Sequence, residues 1–329
     1  MLFSRQNLYK KVHTDENIHE AWRHIRPNSK LAGVDGVNVY VFQNDLLKNL
    51  KRLQDELRRK KYSPRPIKRF WVAKPDGTKR PLGILSVRDK IVQRAVYQVI
   101  EPIFEDGFED CSYAFRRGRS VETAIANVNY LVNQGNYWAV HVDIKHFFDY
   151  VDVKLLYTFI TEKIKDSDVR RLMKVWLDEE ASVFGKKWFF TNSKLKGILQ
   201  GGILSPLYAN VYLDRFDKQA IENGLKIVRF ADNIIALTPR KSDAKIALKK
   251  IRWILKRLHL QLNEKKTRLT HLENKITFLG KKLVLMKSGK KAWLDVRDPQ
   301  ANRSNQRLIQ LQETGFDQND AGRQTNFIR

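Results

Sequence analysis

Apolar positions in the first sixty residues recur at three- and four-residue intervals, the spacing of a helix face. Ile18, Ala21, Trp22 and Ile25 line one side of a segment that Asp15 can cap and Pro27 stops. The turn Ala32-Gly33-Val34-Asp35-Gly36 separates it from a basic helix over 43–60 carrying Leu46, Leu47, Leu50, Leu53 and Leu57. The period then changes. Residues 68–73 and 79–84 flank Pro75-Asp76-Gly77, and strand, turn and strand in that order predict a β-hairpin. Helical spacing returns over 87–105 through Val87, Ile91, Val92, Ala95, Val96 and Val99.

The middle of the chain alternates differently. Residues 137–144 form an apolar run rich in Val, Trp and Tyr, which predicts a buried strand ending on Asp143. Asp152 can cap the next helix, which turns Leu155, Leu156, Phe159, Ile160 and Ile164 inward. A helix over 205–222 is led by Ser205-Pro206, read as N-cap and first helical position. Two short apolar runs within 226–238 flank Ala231-Asp232-Asn233, a tight hairpin. A basic amphipathic helix over 242–258 comes next, with Ala247, Ile251, Ile254 and Leu258 inside. Strands and helices in mixed order predict an α+β fold and not a doubly wound one. After Trp293 the chain is almost wholly polar; it can form a short helix near 300–312 but no core of its own, so a loosely ordered or partner-docked end is expected.

Composition narrows the possible partners. The 329 residues carry 62 Lys and Arg against 36 Asp and Glu, a formal net charge of +26, which calls for a polyanion, with nucleic acid foremost. With 42% hydrophobic and 11% aromatic residues, the chain can fill real cores. The single cysteine, Cys111, excludes a disulfide framework and a Cys-rich zinc site, and fits a reducing, cytoplasmic setting. No apolar run approaches the roughly 18 residues of a membrane span, and no signal-peptide core comes after Met1, so no membrane partner is expected.

Two acidic residues stand where metal chemistry could form, Asp143 at the end of the 137–144 run and Asp232 in the hairpin turn. On neighbouring strands they could meet and hold two Mg²⁺ ions about 3.5–4 Å apart, as in-line phosphoryl transfer requires. Hard oxygen donors with little His or Cys nearby favour Mg²⁺, with Mn²⁺ able to substitute, over zinc. Taken alone, Asp232 and Asn233 equally suit an ordinary turn.

The order of motifs resembles the reverse transcriptases of bacterial group II introns and their relatives. Leu8-Tyr9-Lys10-Lys11 with 32–36 is similar to their N-terminal extension. Lys74-Pro75-Asp76-Gly77-Thr78-Lys79-Arg80-Pro81-Leu82-Gly83-Ile84, then Arg88-Asp89-Lys90-Ile91-Val92-Gln93, resembles their fingers. Ser112-Tyr113-Ala114-Phe115-Arg116 with Gly118-Arg119-Ser120 resembles their third block, 143–148 polymerase motif A, and Gln200-Gly201-Gly202-Ile203-Leu204-Ser205-Pro206 motif B. Residues 230–233 resemble motif C, Leu262-Asn263 with Lys266-Thr267 motif D, and Phe278-Leu279-Gly280 the block after it. The resemblance covers about residues 8–282 and implies the fingers and palm of a right-hand polymerase, with an antiparallel palm sheet and a thumb reduced or absent. It divides the chain into an N-terminal extension (1–60), fingers (61–136, with parts of 170–200), palm (137–282) and a short polar tail or remnant thumb (283–329).

Carried over by position, the resemblance implies an RNA-directed DNA polymerase that adds dNTPs to a primer 3′-OH on an RNA template. Asp143 and Asp232 would be the main metal ligands, with the Ile144 carbonyl as a further oxygen. Phe148, five residues after Asp143, would pack under the nucleotide sugar and reject a 2′-OH, which disfavours RNA synthesis. Lys74 and Arg80 would close over the triphosphate. Gln200, Gly201 and Gly202 would let the backbone approach the template and incoming base. Lys266, or Lys265 beside it, would protonate the leaving pyrophosphate. Arg116, Arg117 and Arg119 would bind template backbone or nucleotide.

The sequence departs from the family pattern at two sites. Leu199 stands where these enzymes usually have proline before the motif B glutamine. Asn233 replaces the second aspartate of motif C, which drops the formal charge of the site from −3 to −2. Reduced activity, a degenerate enzyme and an engineered substitution are the three explanations of Asn233, and a maturase-like RNA-binding scaffold is the alternative function. With no Cys or His in 283–329, no zinc nuclease and no full thumb are expected, so a structured cognate RNA or accessory protein would supply grip. That pattern suits a free-standing member, CRISPR-associated, defence-related or diversity-generating, or a truncated intron protein; motif B is closer to the intron type.

Overall fold

In the computed structural model the described residues are 7–28, 31–73, 77, 79–184, 196–288 and 291–298. The chain opens with helices α1 (Leu8–Val12), α2 (Asp15–Ile25), α3 (Val39–Asn44) and α4 (Leu46–Arg58), then β1 (Lys68–Ala73) and β2 (Lys79–Ile84). Next come α5 (Val87–Glu105), α6 (Val121–Asn133), β3 (Trp138–Asp143), α7 (Phe147–Tyr150), α8 (Val153–Lys163), α9 (Ser167–Phe184) and α10 (Ser205–Glu222). The hairpin β4 (Lys226–Phe230) and β5 (Asn233–Thr238) precedes α11 (Lys241–Arg257), β6 (Arg268–His271), β7 (Ile276–Phe278), β8 (Lys281–Ser288) and β9 (Lys291–Arg297).

The expected hairpin is β1 against β2, antiparallel from Lys68 opposite Ile84 to Ala73 opposite Lys79. The palm sheet has strand order β4-β5-β3-β6, antiparallel throughout. Successive residues of β3 face opposite sides. Val140 and Val142 enter the main core with residues of α8, α10 and α11, while Ala139 joins Val228, Ile235 and Leu237 in a second core. Both faces are covered, which is why these strands read as mostly apolar runs and not as alternating ones.

Polar contacts tie the N-terminal helices to later parts of the chain. The Tyr9 hydroxyl donates to the Leu57 carbonyl at 2.6 Å, and the Tyr9 N–H donates to Asp166 Oδ2 at 2.9 Å. At the start of α5 the buried Asp89 carboxylate accepts from the Ser86 hydroxyl (2.6 Å), the Tyr62 hydroxyl (2.7 Å) and the Arg65 N–H (3.0 Å).

Several elements differ from the sequence expectation. Thr14, not Asp15, caps α2, accepting from the Asn17 N–H, and Asp15 instead accepts from Gln54 at 2.6 Å. The basic helix begins at Leu46, and Leu47 points into solvent at 74% exposure. The N-cap of α10 is Leu204, so Ser205 lies inside the helix with its hydroxyl buried. Helices α6 and α9 went unanticipated, although α6 carries a capping box between Ser120 and Thr123. The polar tail expected from 283 instead begins as sheet. The β8–β9 hairpin places Leu283, Leu285 and Leu294 in the second core, and the Leu294 N–H donates to Asn129 on α6. The helix expected near 300–312 lies outside the described residues.

One interaction crosses the interior. Arg229 on β4 is fully buried, and its guanidinium meets Asp217 of α10 through two bonds, Nε to Oδ1 at 2.7 Å and Nη2 to Oδ2 at 2.5 Å. The remaining donors reach Ser112 Oγ (2.7 Å), Asn210 Oδ1 (3.1 Å) and the Ala231 carbonyl (3.2 Å). Removing one member of such a pair strands the other charge, at a cost of about 3–5 kcal/mol. Asp217→Asn is expected to lower unfolding stability in urea by that order. A loss below roughly 1 kcal/mol would show the network to be dispensable.

Candidate active site

The site is built where three backbone segments end together. Asp143 closes β3 and Asn233 opens β5, and the two are paired in the antiparallel ladder. Paired residues project to the same face, so the Asn233 side chain stands beside that of Asp143. Asp232 is the second of the two residues that join β4 to β5. Ala231 before it has φ 55°, the left-handed conformation that so short a link demands and that costs a residue with a Cβ. Arg229 holds the Ala231 carbonyl from below. The Ile144 N–H donates to the Asp232 carbonyl at 3.4 Å and stitches the turn to the end of β3.

The third segment comes after α11. Asn263 donates twice to Asp143, through its backbone N–H to the carbonyl at 2.8 Å and through Nδ2 to Oδ1 at 3.1 Å. Lys266 lies one turn further, with Nζ 3.5 Å from Asp143 Oδ2 and its side chain 66% exposed. The structure thus brings Asp143, Asp232, Asn233 and Lys266 together. Burial raises the Asp232 pKa above the usual carboxylate value, and the charge of Asp143 pushes the same way, while Lys266 and Arg229 oppose it. Two mutually repelling carboxylates beside an amide and a backbone carbonyl are a hard, electron-rich donor set that a divalent cation would relieve. Among the described residues no cluster of three or more His, Cys, Asp or Glu side chains occurs; here the third position is the Asn233 amide. The residues therefore fit Mg²⁺ or Mn²⁺ held by Asp143 and Asp232.

The remaining expected residues divide into several groups. Phe148 on α7 is half-buried and packs edge-on against Phe147, with ring centres 5.3 Å apart. Its carbonyl accepts from the Ile198 N–H at 2.9 Å, and the Val151 carbonyl accepts from Gly197 at 2.9 Å, so motif A and the approach to motif B are laced together. Gln200 is close behind, and its carbonyl accepts from the Gly83 N–H of β2 at 3.3 Å. Gly201 has φ 100°, and Gly202 packs so close to the Ser205 hydroxyl that a methyl group there would collide with it. Arg80 lies on β2 opposite Val72, while Lys74 lies outside the described residues.

Of the three arginines, Arg116 departs from its expected place. Its guanidinium turns inward to Glu105 (2.9 Å) and to the carbonyls of Glu109 (2.7 Å) and Ser112 (2.9 Å), and the side chain is only 4% exposed. Arg119 is held by Asp110 at 2.7 Å, and Arg117, 71% exposed, approaches Glu101 at 3.4 Å. Sequence reasoning gave no role to Arg229, Asn210 or Asn263. A lone arginine inside an apolar strand, three residues before Asp232, is the signal that could have found the first.

A palm sheet that ends in adjacent acidic positions beneath a fingers hairpin is the architecture of the template-directed polymerases. Residues 72–283 match the family described as reverse transcriptase (RNA-dependent DNA polymerase), and the chain belongs to that family. Its likeness within the family is to the group II intron type. It is 32% identical over 325 residues to Protein YkfC of Escherichia coli, covering 86% of this chain and 84% of that protein. It is 35% identical over 274 residues to the group II intron-encoded protein LtrA of Lactococcus lactis, covering 80% of this chain but only 44% of LtrA. Among solved structures, a telomerase from Candida tropicalis in complex with a fragment of telomeric RNA superposes with a TM-score of 0.52 at 15% identity, covering 73% of this chain and 46% of that one. That likeness is one of fold. Among the described residues no helix is long and apolar enough to cross a membrane.

If the acidic pair holds a cation, millimolar Mg²⁺ should raise the melting temperature by a few degrees, the shift that about 1 kcal/mol produces at this size. Asp232→Asn should abolish most of that rise. An undiminished Mg²⁺ shift in this variant would place the ion elsewhere.

Proposed function

We propose that the chain is an RNA-directed DNA polymerase, extending a primer 3′-OH with dNTPs on an RNA template, at a rate limited by Asn233. The observation that carries this reading is the pairing of Asp143 with Asn233 in one ladder, with Asp232 in the adjoining turn and Lys266 at hand. Mg²⁺ held by Asp143, Asp232 and the Ile144 carbonyl would supply charge neutralisation for phosphoryl transfer and lower the pKa of the primer hydroxyl.

The protein's own groups do the rest. Lys266, whose Nζ lies 3.5 Å from Asp143 Oδ2, would serve as the general acid for the leaving pyrophosphate. Phe148 presents an apolar edge beneath the sugar, where a 2′-OH would lose its hydrogen bonds to water without replacement. The Gln200 backbone, flanked by Gly201 and Gly202, lets a base pair approach closely. By the motif they stand in, Arg80 would supply bidentate contacts and Lys74 a point charge to the triphosphate. With Arg116 turned inward, Arg117 is the arginine of its block that faces nucleic acid, and Arg116 shapes the loop beneath it. The net charge of +26 favours a primer–template duplex, with a structured cognate RNA or an accessory protein as a further partner.

Asn233 specifically favours a second reading, in which the chain acts as a maturase-like RNA-binding scaffold. The relatives include the intron-encoded LtrA and, at 31% identity over 150 residues, a nuclear intron maturase of Arabidopsis thaliana. Primer extension on a primed RNA template separates the two. The unaltered chain should incorporate dNTPs, and Asn233→Asp should do so about tenfold faster, equivalent to roughly 1.4 kcal/mol of transition-state stabilisation. Equal rates would remove Asn233 as the limiting feature. Tight RNA binding with no incorporation by either protein would establish the scaffold reading.

Sugar selection offers an independent check. Phe148→Ala should raise the efficiency of rNTP incorporation relative to dNTP by at least about tenfold, since it opens space for the 2′-OH. An unchanged ratio would return Phe148 to a packing role.

A further inference from the structure

Leu199 stands immediately before Gln200, where the resemblance to the intron type implies proline. Proline brings no N–H, whereas leucine does, and in a buried loop that donor needs an acceptor. Glu180 near the end of α9 provides it. Glu180 Oε2 accepts the Leu199 N–H at 3.1 Å, and both residues are 1% exposed. The other oxygen, Oε1, lies beneath Gly202 without a hydrogen-bond partner, as do Gln93 Nε2, Ser205 Oγ and the Tyr208 hydroxyl, all buried. Gln93 adds a second hold, its Oε1 accepting the Ile203 N–H at 3.2 Å. Two side chains from outside the motif B loop thus grip it on either side of Gln200–Gly201–Gly202.

We propose that Glu180 is a positioning residue of the nucleotide site, holding Leu199 by its N–H and so setting the height of the Gln200–Gly202 backbone. The effect reaches the fingers, because the Gln200 carbonyl accepts from Gly83 on β2, three residues beyond Arg80, and the Leu199 side chain packs on Gly83. This inference rests on the polymerase reading above and deepens it. Burial pushes Glu180 up to about 8, so at neutral pH it is an uncharged acid that can accept from Leu199 and donate into the polar cluster. Tyr208 is the titratable group that faces it, and burial keeps that hydroxyl neutral as well.

Two measurements on the full chain test the proposal. The first is amide exchange of residues 198–203, which needs no activity. The second is steady-state dNTP incorporation. Glu180→Ala should speed exchange and raise the KM for dNTP, each about tenfold, the worth of one buried hydrogen bond, with kcat changed less than about threefold. Glu180→Gln, which keeps both an acceptor and a donor, should restore most of both. Adding Leu199→Pro to Glu180→Ala should recover KM, because the unsatisfied N–H is gone. If Glu180→Ala does not fold, Glu180→Asp, whose shorter side chain draws the acceptor back from Leu199, decides by the same two measurements. Unchanged exchange in the variant, or faster exchange with unchanged KM, would each overturn the proposal. An unaltered chain that incorporates nothing defeats the polymerase reading instead, and exchange alone then decides whether Glu180 holds the loop.

Discussion

The active-site end of the palm depends on a guanidinium that never sees water. Arg229 reaches Asp217 on α10, Ser112 in the loop after α5, Asn210 on α10 and the carbonyl of Ala231, the residue that bends the chain toward Asp232. A charge in such a place is tolerable only when nearly every donor is used. Backbone pairing reinforces it: the Arg229 N–H donates to the Cys111 carbonyl at 2.7 Å, and the Arg229 carbonyl accepts from Tyr113 at 2.9 Å. The block around Ser112 is therefore an additional edge of the palm, and Arg116 turns inward for the same reason, closing its own loop. These contacts hold the strained turn from beneath, so packing helps to aim the acidic pair.

Charge is distributed against the average. The chain has a large positive excess, yet the palm sheet gathers carboxylates at the one point where its strands end. Burial and the charge of Asp143 both disfavour the ionised Asp232 there. On the proposed reading, the amide at position 233 would ease that repulsion and, by the same loss of charge, weaken the attraction for a cation.

Much of the fold was legible because period and local chemistry agreed. The hairpin over 68–84, the helix over 87–105 and the Asp232 hairpin each combine a clear apolar period with the right turn or capping residues. Asp143 and Asp232 could be singled out for the same reason, each interrupting an apolar run at its end. What escaped was information held in pairs distant along the chain. The strand β9 holds Ala292, Trp293, Leu294 and Val296, yet among its described residues Leu294 is the one deeply buried, and its place comes from pairing with β8. Arg116 looks like a nucleic-acid contact until Glu105 and two carbonyls are seen around it. Ser205 suggested a cap by its position before proline, but the helix begins one residue earlier.

The peptide contact between Gly83 and Gln200 gives these parts a mechanical meaning. The hairpin expected to close over a triphosphate and the loop expected to lie against a templating base are joined by one hydrogen bond, with the Leu199 side chain packed against Gly83. On the polymerase reading proposed above, occupancy on the nucleotide side and alignment on the template side would then be coupled through that one backbone contact.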